Sequence, residues 1–452
     1  MTNEYSRRLH AVIPGGAHTY SRGDDQYPCN APPILARGKG AYVWDADGNR
    51  LLDYGMALRA VTLGYADERV NAAAMRQIEN GVNLTRPSLI ELEAAELLVD
   101  LIPGADMVKF AKNGSNVTTA AVKIARACTG RKYVCIPRQH PFFSFDDWFI
   151  GTTPIKRGIP GEHYATTLLF DYGDLASLQA LFDAHPGEIA AVLMEPATTV
   201  VPCPAACGPL TLERPCSACP DNGRNFLHGV RALCHRQDAL FILDEMITGF
   251  RWHLNGAQTF FGVEPDLSTF GKGMANGFSV AALAGKREFM RAGGIDEPGM
   301  ERTFLVSTTH GAEMPGLGAF VETMRIYRER DVVAHLWSYG RRLIDGVNRL
   351  AELLGLGAYF AMEGVPPSLN YVTRDREGKP SLGFRTLFSQ EMIRNGVLMP
   401  WVAVSLAHGD DELSRTLDAV RAALEVYARA LEGRLEDHLV GPAIKPVFRP
   451  YN

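Results

Sequence analysis

An α/β fold built on a mainly parallel sheet is what this sequence predicts, with a smaller α+β domain assembled from both ends of the chain. Three observations predict it. Short, nearly continuous apolar runs at 133–136, 168–170, 189–194 (IAAVLM) and 239–243 (ALFIL) suit strands covered on both faces. Between them lie helical periods at 88–102, 115–128, 175–184 and 226–237, and that alternation is the mark of parallel strands wrapped by helices. After residue 312 long helical patterns return, at 316–329, 332–354, 384–395 and 410–431, with only a few strand-like pieces between them. The expected segments are therefore 1–66 and 313–452 for the smaller domain and 67–312 for the large one. An insertion interrupts the large domain near 200–224.

In chain order, residues 1–13 form an amphipathic helix that stops at Pro14-Gly15-Gly16. The stretch 34–54 alternates apolar and polar residues around Asp47-Gly48-Asn49, the pattern of an antiparallel hairpin. With 452 residues, 46% hydrophobic and 21% charged, the chain has enough apolar surface for two or three domains. A net charge of -5 and the lack of a Lys/Arg-rich block argue against nucleic acid or an anionic membrane as the main partner. The start of the chain has no apolar export signal and no stretch is long enough for a membrane span, so a soluble cytoplasmic protein is expected.

Ligands of open parallel sheets bind beyond the carboxyl ends of the strands. Two acidic motifs fall there: Glu195-Pro196 after IAAVLM and Asp244-Glu245 after ALFIL. A carboxylate buried at a strand end needs a cationic partner, and a protonated pyridine nitrogen is one. The alternative is structural, with Asp244 capping the next helix and Glu245 paired with an arginine such as Arg251.

Twenty-eight residues beyond Asp244, Lys272 stands between Gly271 and Gly273 in a segment poor in other charges. Such a setting suits a Schiff-base lysine, although a surface lysine in a turn would look the same. It is not a P-loop: no glycine lies five residues before Gly271, and Gly273 occupies the Ser/Thr position. At 112–121 a strand-like MVKFA meets a helix start through Gly114 and Ser115, a possible phosphate site that an ordinary helix cap would resemble. The run 140–149 is dense in aromatic rings, suited either to stacking on a flat cofactor or to plain core.

Together these pieces resemble the class III (ω-type) aminotransferases of pyridoxal phosphate (PLP) fold type I, an aspartate-aminotransferase-like fold, and most closely the glutamate-1-semialdehyde aminomutase branch. DEMITGFR (244–251) looks like the family's signature, FGKG (270–273) carries the lysine at the expected distance, and the likeness runs from Pro14-Gly15-Gly16 to about residue 430. The resemblance implies a seven-stranded, mainly parallel sheet. It also implies that Lys272 holds the cofactor as a Schiff base and shuttles the proton, and that Asp244 pairs with the ring nitrogen. Met246 and Phe142 would pack on the two ring faces, Gly114, Ser115 and Asn116 would lie at the phosphate, and Glu195 near the ring hydroxyl. Thr308, or Thr309, would reach the phosphate of a neighbouring subunit, making a homodimer with shared active sites.

Departures from the family bear on the substrate. Arg22 falls where the aminomutase binds its substrate's carboxylate, and a guanidinium fork suits a carboxylate or a phosphate. Leu58 stands where the aminomutase has tryptophan, Arg59 is added, and Asn116 replaces the usual glutamate. The expected activity is transfer of an amino group to a keto or aldehyde group of a small anionic substrate, carboxylate-bearing or phosphate- or nucleotide-linked. The alternatives are a 2,1-aminomutase and a PLP-binding scaffold without turnover.

The insertion holds Cys203, Cys207, Cys216 and Cys219, spaced C-x3-C-x8-C-x2-C, half of the chain's eight cysteines. Two close pairs joined by a short loop are what a tetrahedral thiolate zinc site uses, and a structural zinc ion is expected, with an iron–sulfur cluster as the other option.

Overall fold

The computed structural model describes residues 4–204, 207–219 and 225–452. The chain divides into two compact units, one of residues 1–67 and 335–452, the other of residues 68–334. The sequence reading starts the C-terminal segment at 313; the division falls at 335 because helix Met314–Arg330 packs on helix Glu68–Glu79 within the second unit.

In the first unit three strands form a meander: β1 (Leu35–Lys39), β2 (Tyr42–Asp45) and β3 (Arg50–Asp53). The turn at Asp47-Gly48-Asn49 joins β2 to β3 as expected. Asp45 closes it by accepting from the amides of Asp47 and Asn49, and Gly48 takes φ +86°, which only glycine adopts freely.

The second unit carries a seven-stranded sheet. Its strands are β4 (Met107–Ala111), β5 (Tyr133–Pro137), β6 (Thr167–Phe170), β7 (Ile189–Met194), β8 (Leu240–Asp244), β9 (Leu267–Phe270) and β10 (Ala281–Gly285). The spatial order is β4-β10-β9-β8-β7-β5-β6, and β10 alone runs against its neighbours. Every residue of β7 and β8 is buried, as continuous apolar runs between two helical layers require. One layer includes helix Gly114–Thr129, whose Val117, Ala121 and Ile124 pack with Ile136, Leu193, Ile242 and Leu283 of the sheet. That helix starts where the Asn113 side chain accepts from the Asn116 amide and ends at Gly130, φ +69°.

Returning to the first unit, β11 (Phe360–Val365) and β12 (Ser368–Thr373) make a hairpin, and β13 (Val397–Leu398) adds to β3 in parallel. The last residues of the chain run back along its first ones. Arg449 donates to the Asp25 carboxylate, the Lys445 amide donates to the Asp25 carbonyl, and the Gln26 side chain donates to the Lys445 carbonyl. Among the described residues no helix is long and apolar enough to cross a membrane.

Candidate active site

The site begins at the carboxyl ends of β8 and β9. Their register pairs Asp244 with Thr269, so the chain leaves β9 beside Asp244 and reaches Lys272 three residues later. Asp244 is 1% exposed. Both of its hydrogen bonds fall on Oδ1, from the Met246 amide at 2.9 Å and the Thr269 hydroxyl at 3.1 Å. Burial pushes its carboxyl up to about 6, against the pull of those two donors and of the Lys272 charge. That opposing pull places the Lys272 ammonium close enough to favour the ionised form.

Glu245, one residue on, has a different task. Its carboxylate accepts from the Thr248 hydroxyl at 2.6 Å and from the amides of Ala257 and Gln258 at 3.0 and 2.7 Å. It therefore anchors the loop that follows β8. Burial lifts it to about 7.

Lys272 sits half-buried at φ +36°, the left-handed region that L-residues rarely hold without support. Its neighbour Gly271 is there for space: a Cβ at Gly271 would come within 2.6 Å of the Met246 sulfur, and one at Gly114 within 2.9 Å of the same atom. Gly114, Met246 and Gly271 thus converge, although they are far apart in sequence.

The first turn of helix Gly114–Thr129 offers amides that have no acceptor inside the helix. The Asn113 cap takes the amide of Asn116, leaving those of Gly114 and Ser115 for an anion. Ser115 Oγ accepts from the Phe145 amide at 3.0 Å and keeps its own proton to donate. The same bond ties the aromatic run to the helix start. Within that run Phe142 is largely exposed, edge-on to Phe149 with ring centroids 5.7 Å apart, while Phe143 is buried. Glu195 is buried at the end of β7, and its amide donates to His140 Nδ1 at 3.0 Å. Burial holds the His140 imidazole down at about 3, so the ring is neutral, with its proton on Nε2. Thr308 and Thr309 are exposed, in a segment tied down by Asn83, which donates to the Thr309 carbonyl at 2.7 Å.

A buried carboxylate thus lies near a lysine at the ends of two parallel strands, and a helix start with unused amides carries Gly114 and Ser115. The pattern of the class-III aminotransferases matches residues 20–168 and 218–375. The chain belongs to the class-III aminotransferase family. Over 429 residues it is 30% identical to the 3-aminobutyryl-CoA aminotransferase of Cloacimonas acidaminovorans, a match covering 93% of this chain and 95% of that one. It is 28% identical over 426 residues to the glutamate-1-semialdehyde 2,1-aminomutase of Francisella philomiragia, covering 90% and 93%. Among solved structures it superposes on the PLP internal aldimine form of the Sphingopyxis sp. MTA144 FumI protein with a TM-score of 0.83, at 29% identity over 95% of this chain and 97% of the other.

The family is PLP-dependent, and the residues present fit the cofactor. Asp244 Oδ2, free of the two bonds that occupy Oδ1, suits the proton of a ring nitrogen. The clearance that Gly114 and Gly271 leave at the Met246 sulfur is what a side chain would fill, and the helix start suits the phosphate.

In this class-III chain the two arginines singled out for substrate lie in the first unit. Arg22 lines a cavity of about 780 Å³ within that unit, with Tyr27, Asp53, Leu58, Tyr65 and Trp401; Arg59 is not among the lining residues. The wall at Leu58 has an unusual backbone. Met56, Ala57, Leu58 and Arg59 all have positive φ, at 39°, 49°, 62° and 69°, so this turn of helix is left-handed and none of its residues is glycine. Left-handed helix costs L-residues roughly 1–2 kcal/mol each. Its support is local. Asp53 accepts from the amides of Gly55 and Met56 at 2.7 and 3.0 Å and from the Tyr65 hydroxyl at 2.6 Å. Tyr65 in turn accepts from the Ala57 amide at 2.9 Å, and Trp401 donates to the Gly55 carbonyl at 3.0 Å.

The expected zinc site is not shown. Among the described residues no group of three or more His, Cys, Asp or Glu side chains is arranged to hold a metal ion. Cys203 donates to Cys216, with the sulfurs 3.1 Å apart. The Asn225 amide also donates to Cys216, at 3.2 Å. These two donors, Cys203 first, hold the Cys216 thiol below its ordinary range against the effect of burial. Part of the insertion, 205–206 and 220–224, lies outside the described residues.

Sequence reasoning missed His140, Thr269, Asp53, Tyr65 and Trp401. Thr269 had a signal, three residues before the lysine on the strand adjoining the aspartate. The others show their roles only through contacts between distant parts of the chain.

Proposed function

We propose that this chain is a transaminase moving an amino group between an amino donor and a keto or aldehyde acceptor that carries an anionic group. The observation that carries the reading is the Asp244–Lys272 pair at the ends of β8 and β9. When bound, PLP supplies the electron sink that makes the substrate's amine-bearing carbon acidic. Asp244 keeps the ring nitrogen protonated. Lys272 Nζ anchors the cofactor and removes and returns the substrate proton. Gly114 and Ser115 would hold the phosphate with Asn116 beside them, Met246 and Phe142 would flank the ring, and Glu195 would lie near its hydroxyl.

Arg22 supports the anionic substrate. Among the described residues it makes no ion pair, whereas the two acids lining the same cavity are occupied: Asp24 with Ser6 and His10, and Asp53 with the left-handed turn. Arg59, at the end of that turn, is a second candidate contact for a dianionic or phosphate-linked substrate.

A homodimer belongs to the same reading. Met75, Ile78, Leu89 and Leu92 leave large apolar side chains exposed in the second unit, and Thr308 and Thr309 stand exposed where the family's threonine serves the neighbouring subunit. Light scattering of the purified protein tests it.

Incubating the holoenzyme with amino donors alone separates the two catalytic readings. A transaminase releases the donor's carbonyl product and then aminates an added acceptor. An aminomutase of the kind found among the relatives yields only a positional isomer. Isomer without carbonyl release would overturn the transaminase reading.

A further inference from the structure

The insertion between β7 and the helix Phe226–Arg236 brings Cys203 and Cys216 together, thirteen residues apart in sequence, with their sulfurs 3.1 Å apart. A disulfide needs about 2.05 Å, so a movement of roughly 1 Å would join them. The pair sits in a fixed surround. Asn225, 3% exposed, donates to Cys216 Sγ at 3.2 Å and to the Phe261 carbonyl at 3.1 Å. Its Oδ1 accepts from the His228 amide and so caps the helix. The Phe226 amide donates to the Pro202 carbonyl at 3.1 Å, which ties the residue before Cys203 to the same helix start. The two sulfurs differ in access: Cys216 is buried and Cys203 is partly exposed. A reachable thiol beside a buried one held by a donor suits an entry cysteine and a resolving cysteine.

From the pair a chain of contacts within the second unit leads to the end of β7. The Phe226 ring lies edge-on to Tyr172, with centroids 5.1 Å apart, and the Tyr172 hydroxyl donates to the Pro196 carbonyl at 2.8 Å. Tyr172 also packs on His140, with centroids 5.0 Å apart, and His140 Nδ1 accepts from the Glu195 amide. Burial, and then the charges of Cys203 and Glu195, push the Tyr172 phenol well above its ordinary range. One ring therefore adjoins both the thiol pair and the strand end.

We propose that Cys203 and Cys216 form a reversible disulfide, and that this redox switch loosens PLP by shifting Phe226 and Tyr172 against the end of β7. The oxidant is a small disulfide of the glutathione class. Cys203 attacks one of its sulfurs, the S–S bond breaks, and the departing thiolate takes the Cys203 proton. Cys216 then attacks Cys203 Sγ and expels the second thiolate, which takes the Cys216 proton. Two protein thiols are oxidised to one disulfide, and the small disulfide is reduced to two thiols. The bonded Cys216 sulfur carries no charge and accepts more weakly, so the hold of Asn225 on the helix start slackens. The effect on PLP rests on the place of Glu195 proposed above; the disulfide itself does not.

The test treats the holoenzyme with oxidised glutathione and then with dithiothreitol, and maps disulfides by mass spectrometry of proteolytic peptides. The expected product links Cys203 to Cys216, and dithiothreitol undoes it. PLP release, read as loss of cofactor absorbance after dilution, quickens roughly two- to tenfold in the oxidised protein, the ratio worth one weakened hydrogen bond. Cys203→Ser and Cys216→Ser abolish both the link and the quickening. Tyr172→Phe keeps the link and lessens the quickening. Cys203→Ser, at the partly exposed position, carries the test if Cys216→Ser does not fold.

Oxidation that leaves these two sulfurs unlinked, or pairs them with Cys207 or Cys219, overturns the proposal. So does a zinc ion held by the pair in the purified enzyme. A reversible Cys203–Cys216 link with unchanged PLP release overturns the switch and leaves the transaminase reading intact. A purified protein that binds no PLP overturns the transaminase reading instead.

Discussion

The ends of β8 and β9 and the turn after β3 are the two candidate functional surfaces, and they are made in opposite ways. At the first, regular strands with every residue buried deliver Asp244 and Lys272 to their places, and the local backbone costs little apart from φ at Lys272. At the second, four consecutive residues are held against their own preference by a carboxylate, a phenol and an indole. Cofactor chemistry here rests on elements that would form anyway. The surface facing the cavity rests on contacts that must be supplied from elsewhere, so it can change without touching the chemistry.

Lys272→Ala sharpens this contrast most. It should lower turnover at least about a thousandfold while the protein still binds PLP, as read by cofactor absorbance and product release, since anchor and proton carrier vanish together. Near-normal turnover would end the assignment. Asp244→Asn should cost roughly a hundredfold in kcat, because an amide does not keep a ring nitrogen protonated.

The same aspartate makes a prediction about stability. Its ordinary pKa of 3.8 rises to about 6 in the folded, cofactor-free protein. Between those values the unfolded chain loses the proton first, so rising pH favours unfolding, by about 3 kcal/mol once pH exceeds 6. Thermal melts of cofactor-free protein should show this loss on raising pH from about 4 to 6; Asp244→Asn should show a smaller one, since Glu245, lifted to about 7, loses stability over the same range, and PLP should offset the Asp244 part. Equal slopes in the two proteins would mean that Asp244 ionises freely.

Gly114→Ala comes next, with an expected cost of about 1–3 kcal/mol and weaker PLP binding, because the new methyl meets the Met246 sulfur. Met246→Ala in the same chain should relieve it. The smallest effect belongs to the cavity: Arg22→Ala should raise KM for anionic acceptors about tenfold and leave a neutral amine donor nearly unaffected.

The contrast also explains what could be read from the sequence. IAAVLM and ALFIL show their strands because burial on both faces leaves no polar residue to confuse the period, and the helices at 175–184 and 226–236 follow from their spacing. Asp244 and Lys272 stood out only as a pair, through DEMITGFR and FGKG, because a strand-end acid or a lysine between glycines alone suits a structural role as well. The turn 56–59 was not, since its residues spell right-handed helix and the reversal comes from Asp53, Tyr65 and Trp401. Strand β10 was also obscure: AALAG has no β-branched residue, and Gly285 is needed because a Cβ there would lie 2.5 Å from a Leu267 methyl. The four cysteines stay open, because spacing alone does not tell a metal knuckle from a thiol pair.

The clasp between Lys445, Arg449 and the Asp25–Gln26 segment ties residues 445–449 to one end of the cavity. Asp24 and Tyr27, on either side of that segment, line the Arg22 cavity. Arg449→Ala should therefore loosen one wall of that cavity and leave the sheet that carries Asp244 and Lys272 untouched.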